Sequence, residues 1–361
     1  MTGKQRMNTA MLSGRPDHVP FNPQIVWTHA IRQLEKKEDY EECLVKCYTD
    51  PNYVSQIVFE MDKVYGSDAF RCIPIYDSSI KFKKEGTRYI AYRRGEAFGY
   101  LDTVTGNIAK YDKMEIKTRE DVKKIKVPSV DEIYTSEEFD IVKNDCKITK
   151  DLYCTIGTVT MPMDFLTSRR TISQALYDLM DDEEMVYEMC EICLESALNR
   201  ARAYKKTGVD TLMVGDAAAS SSLVSPSHFR KFVLPYMRRF CDEIRPLGFI
   251  LYLHICGNVK PIIDLMPETG AHCFEPMDTM SHMEPREFRE AVGEGMSLMG
   301  GVDTALLASG TPEQIYEMAG KLIREAGKNG GYIMAAADMV PFEAPGENVM
   351  AMSKAAKDHI Y

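Results

Sequence analysis

From about residue 149 onward the chain switches repeatedly between short continuous apolar runs and longer stretches with helical spacing. Lys150 to Gly157 (KDLYCTIG) reads as a buried strand. Asp181 and Asp182 then open a helix in which Met185, Met189, Ile192 and Ser196 share one face, and Gly208 ends it. Val209 to Gly215 is the next strand. Ser225-Pro226 starts a helix, with an N-cap serine and proline at the first helical position, and Phe229, Phe232, Val233, Tyr236, Met237 and Phe240 form its apolar stripe. The pattern repeats: strand Phe249 to Leu253, short helix Val259 to Thr269, strand Ala271 to Phe274, helix Glu284 to Val292, strand Met296 to Gly300. Thr311 to Gln314 has the form of a capping box and opens a helix ending near Gly327; strand Tyr332 to Ala336 and helix Gly346 to His359 follow.

Those are six βα units in a row, and two further strands are expected upstream, at Val19 to Val26 and Ala69 to Ile75. Repeated βα units imply parallel strands, and eight of them imply a (β/α)8 TIM barrel. Residues 80 to 148 have another texture. Aromatic and β-branched residues alternate with polar ones around a Thr105-Gly106-Asn107 turn, which predicts an antiparallel β-hairpin inserted on the barrel. The expectation is one barrel domain over residues 1–361 carrying that insertion.

The composition narrows the function. The chain has 361 residues, 45% of them hydrophobic and 27% charged, so it is an ordinary globular chain rather than a disordered one. A net charge of −10 offers no broad basic surface for nucleic acid or anionic lipid. No apolar run is long enough to span a membrane, and the N-terminus lacks a secretory h-region. Ten cysteines without a paired framework read as reduced thiols in a cytoplasmic protein. Cys190-x-x-Cys193 and the Cys43/Cys47 pair fall on amphipathic helices and read as packing.

In a βα barrel, chemistry gathers at the C-terminal strand ends. Those positions hold Asp77, Asp216, His254 with Cys256, Glu275, Asp303 and Asp338. The most informative pair is His254-x-Cys256-Gly257. Residues two apart on a strand point the same way, and imidazole and thiolate are both good zinc ligands. By itself the pair is also compatible with a buried thiol beside a hydrogen-bonded histidine.

The run VGDAAASSSLVSPSHFRKFVLPYMRRFCDEIRPLGFILYLHICGNVKPIIDLMPETGA resembles the uroporphyrinogen decarboxylase superfamily, and more narrowly its corrinoid-linked methyltransferase branch. GRPDHVPF, MGGVDTALLASGTPEQI and GGYIMAAADMVPFEAPGENVMAM extend the resemblance over most of the chain outside residues 80–148. It implies a single (β/α)8 barrel. It also implies a catalytic zinc held by His254 and Cys256 together with a third residue after the last strand. That third position holds Asp338 where the branch carries a cysteine; a carboxylate also binds zinc. Glu275 is an auxiliary ligand in this reading, and Asp77, Asp216 and Glu275 orient substrate or manage a proton. The implied reaction moves methyl between a small substrate or carrier and the cobalt of a corrinoid. The chain has no D-x-H-x-x-G cobalamin motif, so the corrinoid is expected on a partner protein. Two alternatives remain: a metal-free, decarboxylase-like lyase using Asp77, and a non-catalytic ligand-binding barrel. Against the decarboxylase, the N-terminal arginine-rich motif is missing, with only Arg32 in PFNPQIVWTHAIRQ.

Overall fold

The computed structural model describes residues 1–111 and 114–360, so positions 112 and 113 of the expected insertion lie outside the described residues. Its strands are β1 (Ala69–Arg71), β2 (Ile80–Glu85), β3 (Arg88–Arg93), β4 (Glu96–Leu101), β5 (Ile108–Lys110), β6 (Cys154–Thr160), β7 (Thr211–Gly215), β8 (Ile250–His254), β9 (Cys273–Glu275), β10 (Ser297–Met299) and β11 (Tyr332–Ile333). Seven of them pair in the order β1-β6-β7-β8-β9-β10-β11 as one curled sheet. Every pairing in it is parallel, as repeated βα units require.

The eighth expected strand, Val19 to Val26, is not a regular strand. Only Phe21 makes a parallel bridge, to Met334 after β11. The Asp68 amide, just before β1, donates to the Phe21 carbonyl at 2.8 Å. Pro20 and Pro23 deny this segment two ladder donors, which keeps it from pairing as a continuous strand.

Alternation sorts the side chains. Ala69, Cys154, Ile156, Met213, Tyr252, Cys273, Met299, Ile333 and Ala335 form one buried cluster on the concave side. Ile250 and, from the helix Gly3–Met11, which the hydrophobic pattern did not single out, Met7, Ala10 and Met11 complete it. That helix stops the end of the sheet opposite the strand C-termini. Arg6 anchors it by pairing with Asp68 at 2.5 Å and Asp17 at 2.6 Å. The opposite parity faces the helices: Phe70, Val159, Leu212, Leu251, Leu253, Phe274 and Leu298 lie in the large outer core.

The insertion is larger than a hairpin. Strands β2 to β5 form a four-stranded antiparallel sheet. Residues 119–149 are instead mostly helical, with Arg119–Val122, Val130–Tyr134 and Glu137–Thr149 each started by Thr or Ser as N-cap. The turn after β4 is seated on the main body, where Tyr48 donates to the Gly106 carbonyl at 2.9 Å. The cysteines expected to pack do so: Cys43, Cys47, Cys190 and Cys193 are buried and free. No helix among the described residues is long and apolar enough to cross a membrane.

Candidate metal centre

His254 ends β8 on the concave side, two residues after Tyr252. Cys256 follows in the loop, and Gly257 turns the chain with φ +98°. A Cβ at Gly257 would lie 2.7 Å from Ser220 Oγ and 2.9 Å from Ser222 Oγ, so the turn demands glycine on both conformation and space. Neighbouring loops clamp it. The Gly257 amide donates to Asp278 Oδ2 at 2.6 Å, the Asn258 amide to Ser222 Oγ at 2.9 Å, and Ser281 Oγ to the Gly257 carbonyl at 3.0 Å. The serine run after β7 therefore has a role: it holds the loop that presents Cys256.

Ligand atoms of His254, Cys256 and Asp338 all lie within 4.8 Å of one another, with each residue half-buried. Asp338 reaches the cluster from the loop after β11. Glu275, fully buried at the end of β9, accepts from His254 Nδ1 at 2.5 Å. This contact leaves Nε2 as the ring nitrogen for a metal, the usual carboxylate–histidine support of a ligand. The other Glu275 oxygen accepts from Gln24, whose φ of +59° is a left-handed conformation rare for a non-glycine residue. Gln24 was not expected in the site; its only sequence signal is its place in the expected strand Val19 to Val26.

The electrostatics suit a cation. Burial opposes charge on His254, yet Glu275 and Cys256 raise its pKa well above the ordinary imidazole value. Burial raises the Asp338 carboxyl as well; His254 opposes that, while Glu275 and Asp278 reinforce it. Two carboxyls and a thiol around one imidazole are the surroundings in which a divalent ion replaces protons. One nitrogen, one sulfur and one oxygen donor make a set that zinc accepts, with a fourth position left open.

The remaining strand-end acids lie outside this cluster. Asp216 is fully buried, and its Oδ1 accepts from the Asp164 amide at 2.7 Å. Asp164 in turn accepts from the Ala217 and Ala218 amides at 3.1 and 2.8 Å. The field of Asp216 reaches Cys190 and Cys193, so it faces the helix layer. Burial, with Asp164 adding to it, pushes its pKa well up. Asp77 sits at the root of the insertion, bonded to Arg93 at 2.8 Å and to Ser79 Oγ at 2.5 Å. Burial opposes it, but those partners hold the Asp77 carboxyl below the usual range. Asp303 caps the helix Thr304–Ser309 through the Leu306 amide.

The family model for uroporphyrinogen decarboxylase (URO-D) matches residues 94–359. The chain belongs to that family. Among relatives of this URO-D family member, the methylcobamide:CoM methyltransferase MtbA of Methanosarcina mazei is 27% identical over 257 residues, covering 69% of this chain and 71% of that protein. A methylated-thiol–coenzyme M methyltransferase of the same organism is 33% identical over 177 residues, covering 47% of this chain and 45% of the relative. Uroporphyrinogen decarboxylase of Thermus thermophilus is 24% identical over 169 residues, 46% of this chain and 47% of that enzyme. Among solved structures, a methyltransferase from Methanosarcina mazei superposes with a TM-score of 0.74 over 99% of both chains at 18% identity, which shows a shared fold.

Proposed function

We propose that this chain is a zinc-dependent methyltransferase that moves a methyl group between a small substrate and the cobalt of a corrinoid carried by a partner protein. The observation that carries the reading is the convergence of His254, Cys256 and Asp338 at the strand ends of a URO-D family member. The names of its relatives, methylcobamide and methylated-thiol methyltransferases, support the corrinoid. When bound there, zinc acts as a Lewis acid on the sulfur, oxygen or nitrogen that gives or takes methyl.

The chain's own residues do the rest. Glu275 holds the His254 ring and its Nδ1 proton in place, and Gln24 fixes Glu275 from the other side. Asp278 and the Ser220–Ser222 turn hold the loop bearing Cys256. Asp338 replaces a second thiolate with an oxygen donor, which leaves the metal more electron-poor and a stronger acid toward substrate. In this reading Asp216 acts at a distance, keeping the β7 end in register with the helix after β6, and Asp77 ties the insertion to the mouth. In this reading the Phe21 segment, bridged to Met334 on one side and bonded to the Asp68 amide on the other, stands in the place of the eighth strand of a (β/α)8 barrel. The metal-free alternative has less support, because Asp77 is occupied by Arg93 and Ser79.

The test is metal content of the purified protein and of Cys256→Ala, followed by methyl transfer from methylcobalamin. About one zinc per chain, lost in the variant while the fold persists, is the expected result. A wild type that takes up no zinc when supplied with it removes the reading.

A further inference from the structure

The antiparallel sheet of the insertion has two unlike faces. Its register puts Ile80, Phe82, Ala91 and Leu101 on the face toward the main body. Ile80, Ala91 and Leu101 are buried there, and Phe82 meets Tyr48 with ring centroids 5.7 Å apart. The cations of that face are neutralised, Arg93 by Asp77 at 2.8 Å and Lys84 by Glu41 at 3.3 Å. The other face carries Lys81, Lys83, Arg88, Ile90, Tyr92 and Tyr100. Lys81, Lys83 and Arg88 are exposed, and no carboxylate among the described residues lies within 4.0 Å of any of them. The side chains of this face pair with one another. Lys83 Nζ lies 4.9 Å from the Tyr92 ring centroid, Arg88 lies 4.7 Å from that of Tyr100, and Tyr92 donates to Glu85 at 2.5 Å.

Charge is concentrated here. Between Ile80 and Arg94 stand six basic residues and one acid, in a chain of net charge −10. Tyrosine and arginine together are the composition of the energetic centre of a protein–protein contact. A basic, aromatic sheet face also suits single-stranded nucleic acid, but base stacking needs open ring faces. Lys83 and Arg88 occupy those of Tyr92 and Tyr100. Four strands of this length present roughly 14 by 20 Å, less than half of the ~800 Å² that each side of a stable protein complex buries. A protein docked on this face therefore extends onto the surface beside it. That surface is the mouth of the parallel sheet. The insertion follows the C-terminal end of β1, and its Gly106 turn lies against Trp27 and Thr28, just after Gln24 of the metal centre.

We propose that the outer face of the insertion, with Lys81, Lys83, Arg88, Tyr92 and Tyr100, is the docking platform for an acidic protein surface, that of the partner carrying the corrinoid. The identity of the partner rests on the methyl-transfer reading; its acidic character rests on the sheet itself. The platform attracts an acidic partner, while the net negative charge of the rest of the chain repels it. That contrast fixes the partner's orientation and turns its cobalt toward the His254–Cys256–Asp338 centre.

Binding is measured by fluorescence anisotropy at low and at physiological salt with three labelled probes. They are an oligoglutamate, a single-stranded oligouridine of equal charge, and the corrinoid protein isolated from the cells that make this chain and recognised by its cobalt. Wild type is expected to bind the oligoglutamate and the corrinoid protein, each more weakly as salt rises. The triple variant Lys81→Glu, Lys83→Glu, Arg88→Glu should bind both at least about tenfold more weakly, with circular dichroism and zinc content unchanged. Replacing the same three residues by glutamine should give intermediate affinities, and that variant decides the matter if the charge-reversed protein does not fold. Oligouridine bound more tightly than oligoglutamate, or oligoglutamate bound equally by wild type and variant, overturns the platform for an acidic protein. A corrinoid protein bound equally by wild type and variant overturns the docking role and leaves the methyl-transfer reading standing. A corrinoid protein that wild type does not bind overturns this inference together with the partner-borne corrinoid of that reading.

Discussion

Glu275 and Asp216 make an instructive pair. Both are acids at strand ends of the same parallel sheet, with only β8 between their strands, and both are fully buried. Glu275 follows Cys273 in the inner parity and meets His254; Asp216 follows Gly215, in the outer parity, and meets the Asp164 amide. Strand-end position therefore does not decide membership of the site. Parity does, and a one-residue step moves a carboxylate from the His254 cluster to the helix side of the sheet. Asp145 is a third buried acid that joins neither class. Ser55 and Cys72 lie beside it, yet both its oxygens lack a well-formed hydrogen bond.

The sharpest way to break the comparison is Glu275→Gln. If Glu275 supports a metal ligand, zinc affinity measured against a chromophoric chelator falls about 10- to 100-fold with little change in unfolding midpoint. An unchanged affinity would place Glu275 with Asp216 as scaffold. The next effect concerns Asp145, whose carboxyl burial pushes up to about 7. The unfolded-chain value is about 4, so the stability its protonated form contributes is complete below pH 4 and is lost as pH rises through 7. Asp145→Asn should gain about 2–3 kcal/mol more stability at pH 8 than at pH 5, read from urea midpoints. Equal effects at both pH values would show that the carboxyl stays protonated or finds a partner.

Asp216→Ala is the counterpart of the Glu275 experiment. It should cost about 1–3 kcal/mol of stability by freeing the Asp164 amide, with zinc affinity changed less than about twofold. A large loss of zinc without loss of stability would reverse the assignment. Arg93→Ala is the smallest test. It removes the pair with Asp77 at the insertion's root, where both side chains are partly exposed, and about 1 kcal/mol or less is expected from denaturation.

Much of this was legible along the chain. The βα alternation placed β6 to β11 close to where they occur, because each strand is a short apolar run bounded by glycine or a helix cap. His254-x-Cys256 was legible because its spacing matches the strand period. Parity could also have separated Asp216 from Glu275, since Met213 and Gly215 mark the inner face of β7. Other features carried too little local signal. Val19 to Val26 has strand-like apolar content, but its prolines limit pairing to Phe21. The insertion's alternation ran into segments capped by Thr118, Ser129 and Ser136, which are helices.

The sequence by itself determined the family, the parallel direction of the strands and the His254/Cys256 pair at the end of β8, because these depend on local periodicity and on residues close in the chain. Tertiary structure alone decided that Asp338 meets them within 4.8 Å and that Gln24 reaches Glu275. Those contacts join residues from opposite ends of the chain. They form because the curl of the sheet brings the ends of β8, β9 and β11 to one mouth, a property of the whole sheet rather than of any one strand.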